Sequence, residues 1–279
     1  MNEVARYPAP GKLNLMLRVV GRRADGYHLL QSVIRFIDHG DTLTFRVRED
    51  GLIRRTNDVA GVEPESDLAV RAARLLQEVT CCGLGADIGV EKRLPLGGGL
   101  GGGSSDAATT LLALNRLWHL DLPRARLLEI APRLGADVPV FVFGETALVE
   151  GIGEVLTPLA VPPAWYVVLC PPVRVSTPAI FAAPELKRDS KEIRIQGFSV
   201  DLAGNDLEPV ACRKHPEVAH HLEWLRQFGP AWMTGSGACV YAAFDTEAAA
   251  RAVLSRLPGS MKGFIARGVD RHPLRDLAR

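Results

Sequence analysis

The segment Leu94-Pro95-Leu96-Gly97-Gly98-Gly99-Leu100-Gly101-Gly102-Gly103-Ser104-Ser105-Asp106 contains six glycines in seven consecutive positions. Where alanine would fit, each glycine costs about 0.4–1 kcal/mol of stability relative to alanine, so this run needs a physical reason. A flexible linker can have such a composition. This run, however, leads directly into an apolar helix, which we predict to have Ser104 or Ser105 as its N-cap and to end near Trp118.

A phosphate-binding loop explains this combination. Glycines let backbone N–H groups approach phosphate oxygens without a clash from Cβ. The free N–H groups and the positive dipole end of the following helix add attraction for an anion. Residues Pro95–Ser105 are therefore predicted to bind phosphate, and a purely structural turn is the alternative.

The two commonest phosphate motifs fit this loop poorly. The P-loop pattern requires a lysine after the last glycine, and none follows Gly103. The G-x-G-x-x-G pattern matches at Gly97, Gly99 and Gly102, but such a match means little in a stretch saturated with glycine. A dinucleotide-binding fold would also open with parallel βαβ units, whose buried strands are apolar, and Lys92-Arg93 occupies that position here.

Before the loop, the sequence predicts mainly strands, with a turn at Ala24-Asp25-Gly26 and one helix capped by Ser66. The predicted strands are Leu13–Val20, Ser32–Ile37, Thr42–Arg48 and Ala86–Leu94, and the predicted helix is Asp67–Val79. After the loop, a helix over Pro123–Leu134 is predicted to end at Gly135, a residue type that favours helix C-termini. A short apolar segment, Ala136–Phe143, follows.

A domain boundary is predicted near residue 160, where Pro158, Pro162 and Pro163 cluster. The length of 279 residues suits two domains, 1–160 and 161–279. Beyond the boundary, strands separated by helices favour a small α+β sandwich. The predicted strands are Trp165–Cys170, Ala238–Phe244 and Gly263–Val269, and the predicted helices are Thr177–Ala182, Asn205–Cys212, Pro216–Phe228 and Thr246–Leu257.

Composition narrows the classes of function. Lys and Arg total 33 and Asp and Glu total 32, so the basic excess typical of a nucleic-acid-binding protein is missing. No apolar run approaches the roughly 18 residues that span a membrane. Met1–Arg6 lacks the features of a signal peptide, so we expect a cytoplasmic location. The five cysteines show no metal-ligand spacing and are expected to be reduced.

Two polar motifs lie near the N-terminus. In an extended strand, Lys12 and Asn14 share one side because side chains alternate; a solvated strand face is the alternative. The segment Asp25-Gly26-Tyr27-His28 could stack on and hydrogen-bond a ring, although a lone histidine more often has a structural role.

Two further motifs lie later in the chain. Asp137 is set in the apolar segment Gly135–Phe141. Burial disfavours a charged carboxylate, which suits Asp137 to proton transfer unless a nearby lysine keeps it ionised. A helix cap is the alternative. Thr234-Gly235-Ser236-Gly237 predicts a tight turn, either near phosphate or substrate or in a plain hairpin.

In this order, these segments resemble the three motifs of the GHMP kinase superfamily, at Pro8–Leu15, Pro95–Ser105 and Thr234–Gly237. The resemblance spans nearly the whole chain. It implies a two-domain α+β fold, in which a ribosomal protein S5 domain 2-like N-terminal domain and a ferredoxin-like C-terminal domain enclose the site. It also implies a small-molecule kinase that uses ATP and Mg²⁺ and acts as a monomer or homodimer, with no nucleic-acid or membrane partner.

The strings GKLNLMLRVVGRRADGYHLLQSV and LGADVPVF are similar to one branch of that superfamily, whose substrate is cytidine diphosphate-linked methylerythritol of the non-mevalonate isoprenoid pathway. The resemblance implies that Asp137 is the general base and that Lys12 stabilises charge beside it. The other roles that it implies are substrate contacts by Asn14, Tyr27, His28, Thr177 and Phe181, phosphate contacts by Pro95–Ser105, and adenine-side positions for Lys92 and Leu68. Its metal ligands stay unassigned.

Asp67 and Asp106 depart from the asparagines expected at these positions. Each adds a negative charge near the nucleotide. Asp106 could help to hold Mg²⁺, or could simply favour the helix N-terminus.

Overall fold

The computed structural model describes residues 4–278. The strands are β1 Ala5–Arg22, β2 His28–Arg48, β3 Ile53–Arg55, β4 Gly85–Glu91, β5 Ala147–Gly151, β6 Val155–Pro158, β7 Trp165–Leu169, β8 Gly204–Asn205, β9 Ala231–Met233, β10 Val240–Phe244 and β11 Gly263–Val269. The helices are α1 Leu68–Thr80, α2 Gly102–Leu117, α3 Arg124–Ile130, α4 Val138–Phe143, α5 Thr177–Phe181, α6 Glu208–Lys214, α7 Pro216–Arg226 and α8 Glu247–Leu254.

The long β1–β2 hairpin is the central element of the sheet. Its antiparallel register runs from Ala5 opposite Phe45 to Arg22 opposite His28, around the turn predicted at Ala24–Gly26. The sequence predicted two strands where β2 is one. Gly40 lies between the two predicted strands, and its missing side chain lets the backbone of Ala9 pack against it.

Strand β2 joins the sheet along its whole length. It pairs with β5 through Leu30–Ile34, with β11 at Phe36 and Ile37, and with β4 through Thr42–Arg48. The sheet continues from β11 through β7 and β10 to β9. Helices α1, α2, α3 and α4 pack against the β1–β2–β4 side, and α5 to α8 pack against the β7–β10–β9 side. A third cluster of buried residues contains side chains from both parts of the sheet, including Leu13 of β1, Val168 of β7 and Tyr241 of β10.

Several predicted helix boundaries were wrong. The helix predicted over Asn205–Cys212 begins only at Glu208, because Asn205 belongs to β8, and the helix predicted to reach Leu257 ends at Leu254. Helix α1 is capped by Asp67, whose carboxylate accepts from Ala69 N, and Ser66 belongs to a preceding 3-10 turn. Helix α3 stops at Ile130, well before Gly135, because Pro132 lacks the N–H that an α-helix needs and a 3-10 turn follows. Helix α2 starts earlier than predicted, and the reason lies in the site described below.

The division into residues 1–160 and 161–279 stays a prediction. The end of the chain returns to the first part: Gly268 pairs with Ile37, and the backbone N–H of His272 donates to Gly144 O at 3.0 Å. Among residues 4–278, no helix has both the length and the apolar character to cross a membrane. The expected lack of a signal peptide concerns Met1–Arg6, and Met1–Glu3 lie outside the described residues.

Candidate active site

The glycine loop between β4 and α2 is held by two distant parts of the chain. Leu100 O accepts from the backbone N–H of Lys12 at 2.9 Å, which ties the loop to β1. Gly97 O and Gly98 O accept from Ala238 N and Cys239 N at 3.2 and 3.0 Å. The loop is therefore held by the first sequence motif and by the two residues that follow the third. Thr234 of the third motif also donates to Gly99 O at 3.3 Å, so the three motifs lie together.

Glycine is required at two loop positions. Gly99 has φ +76°, and a Cβ there would lie 2.1 Å from Thr234 O, too close for any side chain. Gly101 has φ +72° and is the N-cap of α2, which begins at Gly102. The prediction that Ser104 or Ser105 caps this helix was wrong, because the left-handed conformation of Gly101 starts the helix before either serine.

Lys12 and Asp137 meet at the centre of the cleft. Lys12 Nζ lies 3.3 Å from Asp137 Oδ2 and donates to Asn14 Oδ1 at 2.5 Å. The Lys12 side chain is only 3% exposed, whereas that of Asp137 is 43% exposed. Asp137 occupies the N-cap position of α4 without making a capping hydrogen bond, so its carboxylate is free to face the cleft.

Asn14 is held by one residue of β2 and by one residue in the turn that follows β9. Its amide Nδ2 donates to Ser32 Oγ at 2.8 Å, and its backbone N–H donates to Thr234 Oγ1 at 3.0 Å. The sequence marked Thr234 only as part of a turn and did not mark Ser32. The cross-strand pairing of β1 with β2 brings Ser32 here, and no local pattern indicates it.

A side pocket contains the three predicted aromatic and imidazole residues. Tyr27 is 61% exposed at its rim. The rings of His28 and Phe181 face each other with their centroids 4.9 Å apart. Burial, and then the charges of Arg188 and Arg22, lower the pKa of His28.

On the other side of the loop, Leu68 and Lys92 line a cavity with Pro95, Leu96 and the glycines. Lys92 Nζ lies 2.8 Å from Asp106 Oδ2 and also contacts Asp41 Oδ2. Burial alone would lower the pKa of Lys92, but the carboxylates of Asp106 and Asp41 outweigh it and raise that pKa. Burial raises the pKa of Asp106 to about 7, against the attraction of Lys92.

Both unexpected aspartates therefore have a basic partner. Asp106 pairs with Lys92, and Asp67 pairs with Arg55 at 2.9 Å in a buried ion pair. Asp41, which the sequence analysis missed, also accepts from the backbone N–H groups of Arg93 and Leu94 at 2.6 and 2.8 Å. It fixes the corner where β4 leads into the glycine loop.

These parts form one continuous cleft. The side pocket, of about 500 Å³, shares Ala136 and Phe181 with a central cavity of about 310 Å³ that contains Lys12 and Asp137. The central cavity shares Gly97, Gly99 and Ser104 with the cavity at the glycine loop, of about 220 Å³. Thr177 lines the central cavity, and its hydroxyl is 2.6 Å from Ser236 Oγ. Ser105 is buried, and its hydroxyl has no hydrogen-bond partner in the described part of the chain.

Comparison with known proteins agrees with this arrangement. The GHMP kinases N terminal domain matches residues 67–145, and the GHMP kinases C terminal domain matches residues 184–263. The chain is 63% identical to a 4-diphosphocytidyl-2-C-methyl-D-erythritol kinase of Thiobacillus denitrificans over 97% of each chain. It is 60% identical to the enzyme of that name from Nitrosospira multiformis, over 97% of this chain and 93% of the relative.

Solved structures of other proteins share the fold of this chain. A crystal structure of 4-(cytidine 5'-diphospho)-2C-methyl-D-erythritol kinase superposes with a TM-score of 0.81 at 33% identity, over 95% of this chain and 99% of that one. A homoserine kinase from Cytophaga hutchinsonii, at 16% identity and a TM-score of 0.73 over 98% of this chain and 96% of that one, shares the fold. The chain thus belongs to the GHMP kinases and, within them, to the 4-diphosphocytidyl-2-C-methyl-D-erythritol kinase family.

Proposed function

We propose that this protein transfers the γ-phosphoryl group of ATP to the 2-hydroxyl of 4-diphosphocytidyl-2-C-methyl-D-erythritol. The products are the 2-phosphate and ADP, and the reaction belongs to the non-mevalonate route to isoprenoid precursors. The observation that carries this proposal is the continuity of the cleft. One channel joins a pocket suited to an aromatic base, a lysine–aspartate pair and a glycine loop at a helix N-terminus.

The acceptor would span the first two parts of this channel. Its cytosine would stack between Tyr27 and Phe181, with His28 at its edge. Its methylerythritol part would extend toward Asn14 and Thr177 in the central cavity. The acceptor hydroxyl would then face the Lys12–Asp137 pair.

Asp137 would act as the general base. Its partly exposed carboxylate can accept the proton of the acceptor hydroxyl as that oxygen attacks phosphorus. Lys12 would compensate the negative charge on the transferring phosphoryl group. Its ammonium has three N–H donors; two of them face Asn14 and Asp137, and the third would point to the phosphoryl group. Positioning and electrostatics would supply most of the rate enhancement.

ATP would lie along the glycine loop. The N–H groups of the first turn of α2 have no intrahelical partners and can donate to phosphate oxygens. Pro95–Ser105 would surround the phosphates, with Ser104 at the junction with the central cavity. Leu68 and Lys92 would lie toward the adenine.

Mg²⁺ would be held mainly by the phosphates of ATP. Residues 4–278 contain no cluster of three or more His, Cys, Asp or Glu side chains that could hold a metal ion. Mg²⁺ needs only one or two carboxylates when phosphate oxygens supply other ligands. Asp106 Oδ1 is buried without a hydrogen-bond partner and is the oxygen we assign to it. Bound there, Mg²⁺ would neutralise phosphate charge.

The reducing cytoplasm is the location we propose, and the free thiols of all five cysteines support it. One chain supplies every residue of the cleft, so a monomer or a homodimer would suffice.

The deciding experiment measures ADP formation with a panel of acceptors: the cytidine diphosphate-linked alcohol, mevalonate, homoserine and galactose. We expect turnover with the first alone, and ³¹P NMR should place the new phosphate on its 2-oxygen. Turnover with another acceptor instead would refute the proposed substrate, and no ADP with any of them would refute a kinase role.

A further inference from the structure

Arg188 joins two parts of the side pocket, His28 and the end of α5. Its Nε donates to His28 Nε2 at 3.0 Å, across 160 residues of sequence. Its remaining N–H groups donate to backbone carbonyls at the end of α5 and just after it. The closest of these acceptors are Phe181 O at 2.9 Å, Ala183 O at 2.7 Å and Leu186 O at 3.0 Å. The guanidinium is therefore held on several sides, and it fixes both the His28 ring and the backbone that carries Phe181.

The contact with Arg188 determines where His28 carries its proton. An arginine side chain stays charged and can only donate hydrogen bonds. His28 Nε2 must therefore be the unprotonated, accepting nitrogen. A neutral imidazole has one N–H, so the proton of His28 is on Nδ1.

His28 is thus held as a neutral ring with a single donor. Protonation of Nε2 would place two N–H groups against each other, and the charges of Arg188 and Arg22 add to that cost. Within residues 4–278, Nδ1 of His28 has no hydrogen-bond partner, and His28 lines the side pocket. The free Nδ1–H is available to a ligand.

We infer that Arg188 is a positioning residue that makes His28 an obligate Nδ1–H donor and thereby selects cytosine over uracil. Cytosine has acceptors at O2 and at the ring nitrogen N3, whereas uracil has an N–H donor at N3. A fixed donor opposite N3 pairs with cytosine and opposes uracil. This inference rests on the proposed function, which puts a pyrimidine in this pocket.

The expected size of the preference for cytosine follows from other sites that recognise a ligand through a hydrogen bond. A site built to form a hydrogen bond rejects analogues that cannot complete it by factors that reach about 10⁴–10⁵. A ring that is free to change tautomer could offer Nε2 or Nδ1 as donor or acceptor, and could meet either base. We therefore expect removal of Arg188 to reduce the preference for the cytidine substrate over its uridine counterpart.

The first test reads the tautomer directly. Long-range ¹H–¹⁵N NMR at pH 8, with His28 assigned by His28→Gln, should show an Nδ1–H tautomer in the free wild-type protein. Arg188→Ala should give a mixture of tautomers, and Arg188→Lys, which restores one donor, should recover Nδ1–H. Arg22→Ala removes a charge from the same rim without touching the hydrogen bond and should leave the tautomer unchanged. An Nε2–H ring in the wild type overturns the inference.

The second test measures kcat/KM for the cytidine and uridine diphosphate-linked alcohols. We expect the wild type to prefer the cytidine substrate by at least about 100-fold and Arg188→Ala by less than about 10-fold, with KM changed far more than kcat. If a folded Arg188→Ala protein keeps the full preference for the cytidine substrate, the inference is overturned. If Arg188→Ala does not fold, Arg188→Lys decides. Wild-type preference in Arg188→Lys supports the inference, and a lost preference overturns it. If the wild type uses neither substrate, the proposed function fails, and the NMR result still decides whether Arg188 sets the His28 tautomer.

Discussion

Lys12 Nζ lies 3.3 Å from Asp137 Oδ2 although the two residues are 125 positions apart in sequence and differ strongly in exposure. The ammonium is buried and fixed by Asn14, whereas the carboxylate is open to the cleft. Both residues line the central cavity, and the carboxylate is the more exposed of the two. In the proposed reaction, Lys12 would supply a fixed charge and Asp137 an accessible base.

Asp137→Asn is expected to lower kcat by at least about 100-fold, since general-base assistance is typically worth about 10²–10⁴-fold. Asp137 makes no capping hydrogen bond, so the melting temperature should change little. Steady-state kinetics with both substrates saturating, together with a thermal melt, checks this. Lys12→Ala should cause a similar loss of kcat without unfolding the chain. Near-normal turnover in either variant would contradict the assigned roles.

Tyr27→Ala and His28→Ala are expected to raise the KM for the cytidine substrate about tenfold or more while leaving the KM for ATP unchanged. Both residues line the side pocket, which is separated from the glycine loop by the central cavity. A lost base–aromatic stack is worth about 1–3 kcal/mol. The check is a pair of KM measurements for each variant; a selective loss of ATP affinity would mean that this pocket does not bind the acceptor.

Much of this site was predictable from sequence because its signals are local. Alternation along a strand put Lys12 and Asn14 on one side, and their 2.5 Å hydrogen bond confirms it. Six glycines before an apolar segment predicted a loop that leads into a helix, and the structure has α2 there; phosphate binding by this loop stays a prediction. The resemblance added the pocket residues, and the structure brings His28 and Phe181 together.

The residues that sequence reasoning missed act over long separations. Asp41 reaches Lys92 and the backbone of Arg93 and Leu94 through the pairing of β2 with β4. Arg188 reaches His28 across 160 residues. In sequence each is one charged residue in a polar stretch, and only the register of the strands or the path of a loop gives it a partner. The start of α2 was missed because it depends on the positive φ of Gly101.

Gly99→Ala is expected to raise the KM for ATP by at least about tenfold. A left-handed residue other than glycine costs about 1–2 kcal/mol, and here the new Cβ would also meet Thr234 O at 2.1 Å. The loop must move away from the third motif, which misaligns its N–H groups. Gly83→Ala is the matched control, since a Cβ there meets nothing within 4 Å. Equal ATP affinity in both variants would show that the loop geometry is not needed for binding.

The folded protein is expected to lose stability as the pH falls below about 6.5, because of His272. Burial, and then the charge of Arg124, lower its pKa to about 3. The unfolded chain takes up this proton near pH 6.5 and the folded protein only near pH 3, so stability falls across that interval. Between pH 7.5 and pH 5 the loss from this residue is about 2 kcal/mol.

Urea unfolding at pH 7.5 and pH 5 measures this effect. His272→Leu should remove most of the contribution that His272 makes to the drop in unfolding free energy between pH 7.5 and pH 5. This holds whatever the effect of the substitution on stability at pH 7.5. His220→Ala, which changes an exposed histidine, should keep the wild-type difference. If His272→Leu also keeps it, another group causes the acid sensitivity.

Asp106→Asn is expected to raise the Mg²⁺ concentration required for half-maximal activity several-fold. Asparagine can still accept from Lys92 through its carbonyl oxygen, so the contact at 2.8 Å is largely preserved while the charge is lost. The neutral oxygen is a weaker ligand for Mg²⁺ than a carboxylate, although it repels the ATP phosphates less. Activity titrated with Mg²⁺ at fixed ATP, and ATP binding measured without Mg²⁺, separate the two effects. Tighter metal-free ATP binding with an unchanged Mg²⁺ requirement would show that Asp106 only balances the charge of Lys92.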